Sequence, residues 1–170
     1  GYYSMAEKIV GAISMLTSII NRTLFPHLNK LFHQSRQAFH TQVTKLASWM
    51  LLAFAILAAA LFLTAEQVIF FLGGKSLDGD LPYATTVLKM ISVSLVVAPF
   101  GSFYFQLLLI AGEKRLAVRN IFIVVIINAI TAFPLAYFAA AKGLAVNAVL
   151  ITLAIAGINY FTWRQWRRSY

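Results

Sequence analysis

Glu7 and Lys8, near the start of the chain, and Lys89, further along it, are ionisable residues set inside otherwise apolar runs. Exposing such a side chain to lipid costs roughly 2.5–3.5 kcal/mol or more, which makes each a candidate functional residue by default. The opening segment carries Ser4, Glu7, Gly11, Ser14, Ser18 and Asn21 at steps of three and four, one stripe of a helix, with Ile9, Ile13, Leu16, Ile20 and Leu24 on the opposite stripe. Lys89, Ser92, Val96, Pro99, Phe103 and Gln106 repeat that spacing on a later segment, where Pro99 and Gly101 are expected to loosen the hydrogen-bond ladder. Glu7, Lys8 and Lys89 each fall a few residues past the outer start of a span, so at 1.5 Å per residue they sit roughly 9–10 Å deep and can share one layer. The functional reading is a cationic cavity wall. The alternatives are a structural Glu7–Lys89 pair, a snorkelling Lys89 and an Arg22 that snorkels at the inner interface. Asn128, Pro134, Asn147 and Asn159 read as inter-helix contacts.

Other short patterns resemble sites of soluble proteins and fail on detail. Gly73 to Ser76 reads GGKS, but the earlier glycine of a phosphate-binding loop would fall at Ile69. Asp78, Gly79 and Asp80 lack the later ligands of a calcium loop and fit a solvated turn before Pro82. His27, His33 and His40 are six and seven apart with no carboxylate between them, so one helical face gathers at most two. No metal, cofactor or covalent catalysis is expected, and the absence of Cys removes thiolate sites and disulfides.

The elements that must position these residues follow from the gaps between charges. A bilayer core needs about 20 mostly apolar residues. Twenty uncharged residues separate Lys45 from Glu66, twenty-three Lys89 from Glu113, twenty-two Arg119 from Lys142, and twenty-one Lys142 from Arg164. With the opening segment these give five spans, about 2–28, 46–72, 83–111, 118–141 and 144–163, in one all-α polytopic membrane domain. The whole composition agrees: of 170 residues 61% are apolar and 11% charged, and the mean hydropathy is +0.79. A disordered, soluble or disulfide-rich secreted protein is excluded. The net charge of +9 is mostly topology rather than a nucleic-acid footprint. Lys30, Arg36, Lys45, Lys114, Arg115, Arg119, Arg164, Arg167 and Arg168 fall in alternate loops and the tail, against Lys75 and Lys142 in the others, which puts the first set and the C-terminus in the cytoplasm. Trp49, Tyr160, Trp163 and Trp166 fit interfacial anchors. A chain that opens on Gly1 in mid-helix chemistry reads as a C-terminal fragment.

The opening GYYSMAEKIVGAISMLTSIINRTLFPHLNKLF resembles a segment of polysaccharide (O-antigen type) flippases, through Gly1, Tyr3, Ser4, Ala6, Glu7, Lys8 and Ile9, then Leu24, Phe25, Pro26 and Lys30. VLKMIS at 87–92 and QLLLIAGEKR at 106–115 are similar to that family's basic-then-apolar entry and its cytoplasmic exit, and the order and hydropathy agree along essentially the whole chain. The family belongs to the multidrug/oligosaccharidyl-lipid/polysaccharide exporter superfamily, which works by alternating access between two helical lobes. The resemblance implies the eighth to twelfth spans of a flippase, with an N-terminal lobe supplied by the same parent chain or by a partner.

It also implies translocation of undecaprenyl-pyrophosphate-linked oligosaccharide across the bacterial inner membrane, with no enzyme activity. Lys8, Lys89, Arg22, Ser14, Ser18, Asn21 and Gln106 are then the candidate substrate contacts. Glu7 orients them or couples the cycle to a cation or proton gradient. A drug/cation antiporter or peptidoglycan-precursor flippase would share the architecture, and a non-transporting scaffold or remnant is the rival outside transport. A membrane glycan polymerase or acyltransferase fits less well, since the larger outer loop has only about ten residues.

Overall fold

The computed structural model describes residues 2–73 and 81–169, with side chains at 8–12, 15–71 and 81–169. Gly74 to Asp80, which include most of the GGKS pattern and both loop aspartates, lie outside the described residues, as do the side chains of Glu7 and Ser14. Six helices follow in order: α1 (Tyr2–Gln34), α2 (Arg36–Leu63), α3 (Ala65–Gly73), α4 (Leu81–Ser92), α5 (Ser94–Ile110) and α6 (Lys114–Ser169), with no strand among the described residues. The stretches Lys8–Gln34, Arg36–Leu63, Leu81–Ile110 and Lys114–Ser169 are long and apolar enough to cross a membrane. Large side chains such as Leu52, Ile56, Phe122, Ile126 and Ile130 are exposed along them. A water-soluble monomer rarely exposes apolar surface on that scale, and lipid accommodates it. The chain is an all-α polytopic membrane protein.

The four stretches make five passes, because α6 doubles back. Ala140 has φ 46° and ψ −126° inside it. On either side of this reversal Asn147 Nδ2 donates to Asn128 Oδ1 at 2.8 Å, and Asn120 Nδ2 donates to Asn159 Oδ1 at 2.9 Å. Residues 39 positions apart in one straight helix would be about 58 Å distant. The two legs are therefore antiparallel. At the tip Gly143 lies so close to the Leu135 carbonyl that a Cβ would overlap it.

Helix ends differ more from expectation than helix existence does. The charged stretch between the first two spans, expected as a loop, is helical except at Ser35. Ser35 is extended, with φ −156° and ψ 112°, and its hydroxyl caps α2 by accepting from the Ala38 N–H at 3.3 Å. Both helices continue because their apolar rows continue: Leu28 on α1, and Phe39, Val43 and Met50 on α2, all enter one core. The charges therefore do not mark the end of either helix. At the far end of α5 the Gly112 N–H donates to Leu109 O and the Glu113 N–H to Leu108 O, a Schellman closure with Gly112 at φ 81°.

Two core clusters stack along the bundle. Phe39, Phe103, Leu107, Ala117 and Trp163 belong to one, at the end that holds the Ser35 and Gly112 turns. Ala65, Ile69, Val87, Leu88 and Ala145 belong to the other, at the end that holds the α6 reversal. Phe32 and Trp166 have ring centroids 6.2 Å apart, and Trp166 Nε1 donates to Glu113 Oε1 at 3.1 Å, which joins the α1 end, the α5–α6 turn and the tail. The nine basic residues assigned to one side thus belong to segments that meet at one end of the bundle.

Candidate polar cleft between helices

α5 is the central helix, and α1, α2 and α6 flank it. Between α1 and α5 lies a cleft of about 290 Å³ lined by Thr17, Ser18, Asn21, Ala98, Ser102 and Gln106. A second, of about 360 Å³, opens between α5 and α6, where Asn120, Thr152 and Asn159 supply the polar side chains. Ala98 and Ser102 line both, so α5 forms a shared floor. These positions fall in the apolar length of α1 and α5, where every polar group must find a partner in protein or in a wet cavity.

Asn21 is the polar centre of the first cleft. It is 2% exposed, and its Nδ2 donates to Ser102 Oγ at 2.8 Å, while Ser102 Oγ donates to the Pro99 carbonyl at 3.0 Å. Asn21 Oδ1 is buried with no hydrogen-bond partner among the described residues. An orphaned buried amide oxygen costs about 1–3 kcal/mol. In the second cleft the amides are satisfied. Asn120 Nδ2 reaches both Asn159 Oδ1 and Thr162 Oγ1, at 2.9 and 3.1 Å, and Asn159 Nδ2 donates to the Gly101 carbonyl at 3.0 Å. Gly101 permits that approach: a Cβ there would lie 2.6 Å from Ile155 Cγ2. Asn147 bonds Asn128 and accepts from Thr131 Oγ1 at 2.6 Å, so the asparagines expected as inter-helix contacts do hold the α6 legs together.

The structure brings together three of the sequence-predicted residues, Ser18, Asn21 and Gln106. It adds Thr17 and Ser102, which carried no distinctive signal because a hydroxyl in a helix can satisfy itself on a preceding carbonyl. Arg22 is exposed and is not part of the cleft lining. Lys8 is exposed too, although its neighbours Ile9 and Val10 pack on the cluster that contains Val87, Leu88 and Ile91. Lys89 departs most from the expected arrangement. Its ammonium lies 5.4 Å from the centroid of the Phe62 ring on α2, a cation–π contact directed away from the cleft lining. The stripe drawn from Lys89 to Gln106 crosses Val93, which parts α4 from α5 while keeping helical angles of φ −60° and ψ −34°. Ser92 Oγ donates to Lys89 O and Ser94 Oγ to Ile91 O there, whereas the helix runs on through Pro99 and Gly101, the expected weak point.

No protein-family model, curated protein or solved structure matches the chain.

Proposed function

We propose that the chain forms one lobe wall of a bacterial inner-membrane flippase, which moves undecaprenyl-pyrophosphate-linked oligosaccharide by alternating access. The observation that carries this reading is the cleft of hydroxyls and amides at bilayer depth, with a buried, unpartnered acceptor on Asn21. Sugars crossing a low-dielectric core need such neutral donors and acceptors in place of water. The resemblance of the opening, third-span and exit segments supplies the substrate class. A second helical lobe, from the same parent chain or a partner, closes the cavity over α1, α5 and α6. In this scheme Ser18, Asn21, Ser102 and Gln106 hold hydroxyl groups, and movement of α1 against α5 exposes Asn21 Oδ1 for part of the cycle. Arg22, Lys8 and Lys89 attract the pyrophosphate outside the cleft, Glu7 orients them or couples the cycle, and Ser14 falls on the sequence stripe of α1 that carries Ser18 and Asn21. The basic end and the C-terminus face the cytoplasm.

The test is surface polysaccharide in the host bacterium carrying Asn21→Ala with Ser102→Ala, and separately Lys8→Ala with Lys89→Ala, in the native gene. Both pairs are expected to lose most surface polysaccharide at normal membrane protein levels, with lipid-linked oligosaccharide accumulating. Normal polysaccharide in both overturns the proposal. Loss of drug efflux or of cell-wall synthesis, with polysaccharide intact, would reassign the substrate to another class within the same architecture.

A further inference from the structure

The opposite face of α5 carries a second groove with different chemistry. Val96, Val97, Phe100 and Tyr104 project about 180° from Ala98, Ser102 and Gln106 at 100° per residue. One cavity there, of about 350 Å³, has Thr44, Ser48, Arg164 and Arg167 at its mouth, at the basic end of the bundle. A second, of about 360 Å³, runs from it between Val96, Val97, Ala156 and Gly157. Leu51, Phe100, Tyr104 and Tyr160 line both, so the two form one channel with a cationic head and an apolar body. Arg164 and Arg167 are exposed and make no ion pair with a described carboxylate; Glu113, at that same end, is engaged by Trp166. From Arg167 to Ala156 is eleven residues of helix, roughly 16 Å, which is half of a bilayer core about 30 Å thick.

We infer that this groove holds an anionic phospholipid of the leaflet at the basic end. Its phosphate rests between Arg164 and Arg167, and one acyl chain lies along Val97, Phe100 and Gly157. Three features select that occupant. The charge is complementary to a phosphate and is not neutralised by any described carboxylate, the apolar length matches one leaflet, and the polar-to-apolar order follows the bundle from its basic end. A zwitterionic lipid fits the body but gains little at the mouth. The groove is separated by the whole thickness of α5 from the cleft proposed for transport and does not depend on that proposal.

The experiment is native mass spectrometry of the full chain in mild detergent, titrated with phosphatidylglycerol or with phosphatidylcholine of the same acyl chains. Phosphatidylglycerol is expected to be retained about tenfold more tightly. Arg164→Gln with Arg167→Gln should remove the preference while leaving phosphatidylcholine retention unchanged. Gly157→Leu should weaken both lipids by filling the body, where a Cβ at Gly157 meets nothing within 4 Å, and an unchanged thermal midpoint checks that the variant folds. Equal retention of the two lipids, or wild-type preference in the arginine variant, overturns the inference. Displacement of bound phosphatidylglycerol by equimolar polyprenyl pyrophosphate also overturns it, by giving the groove to a transported lipid.

Discussion

At the scale of single residues, the amides divide into two kinds that composition alone does not distinguish. Asn120, Asn159 and Thr162 form a closed hydrogen-bonded set against the Gly101 carbonyl, whereas Asn21 is held on one side only. Asn120→Ala leaves Asn159 Oδ1 and Thr162 Oγ1 without their donor and should lower stability by about 1–2 kcal/mol, read as an earlier unfolding midpoint in mixed micelles. An unchanged midpoint would mean that the set contributes nothing net. Asn128, Asn147 and Asn159 were legible in the sequence, because an amide deep in an apolar span has no water and must find a neighbouring helix. Asn120 and Thr162 were not. They lie beside Arg119 and Arg164, where sequence gives no means of telling an interfacial side chain from a buried one. Lys89 was legible as unusual but not in its direction, since a flexible four-carbon stem reaches Phe62 as readily as it reaches a cavity.

At the scale of elements, close approach rather than propensity fixes the last two passes. The α6 reversal at Ala140 brings Gly143 against the Leu135 carbonyl. Gly143→Ala should cost about 1–3 kcal/mol through overpacking, measured as a lower thermal midpoint in detergent. Gly11→Ala is the matching control, since a Cβ at Gly11 meets nothing within 4 Å, and it should leave the midpoint level or slightly higher. Equal behaviour of the two would show that the legs do not touch at the tip. The gaps between charges picked out four apolar runs and the stripes of the opening segment a fifth, with Lys142 falling two residues from the reversal at Ala140. They misjudged the helix ends around Ser35, because the rule follows charge, whereas the helix follows the apolar rows that carry Leu28 and Phe39 into the core. The joint at Val93 left no cue in the sequence, because its backbone stays helical and the Ser92 and Ser94 hydroxyls bond back to Lys89 and Ile91, as helical serines commonly do.

At the scale of the whole molecule, the basic segments gather at the end closed by Phe32, Phe39, Trp163 and Trp166. A phosphatase fused after Ser169 should be inactive if that end faces the cytoplasm, and the same enzyme inserted after Gly73 should be active. The reverse pattern would invert the proposed direction of transport. The turn at that end also bears on how the chain enters the bilayer. α1 is the least apolar of the membrane-length stretches and α2 the most, and a single residue, Ser35, joins them. Released from the translocon by itself, α1 would present its polar stripe to lipid and gain little by staying there. Tied so closely, it is expected to leave with α2 as one hairpin, the surplus hydrophobicity of the second helix offsetting the polar stripe of the first. The residues proposed to meet the sugar are thus free to be polar because their neighbour in the chain is not.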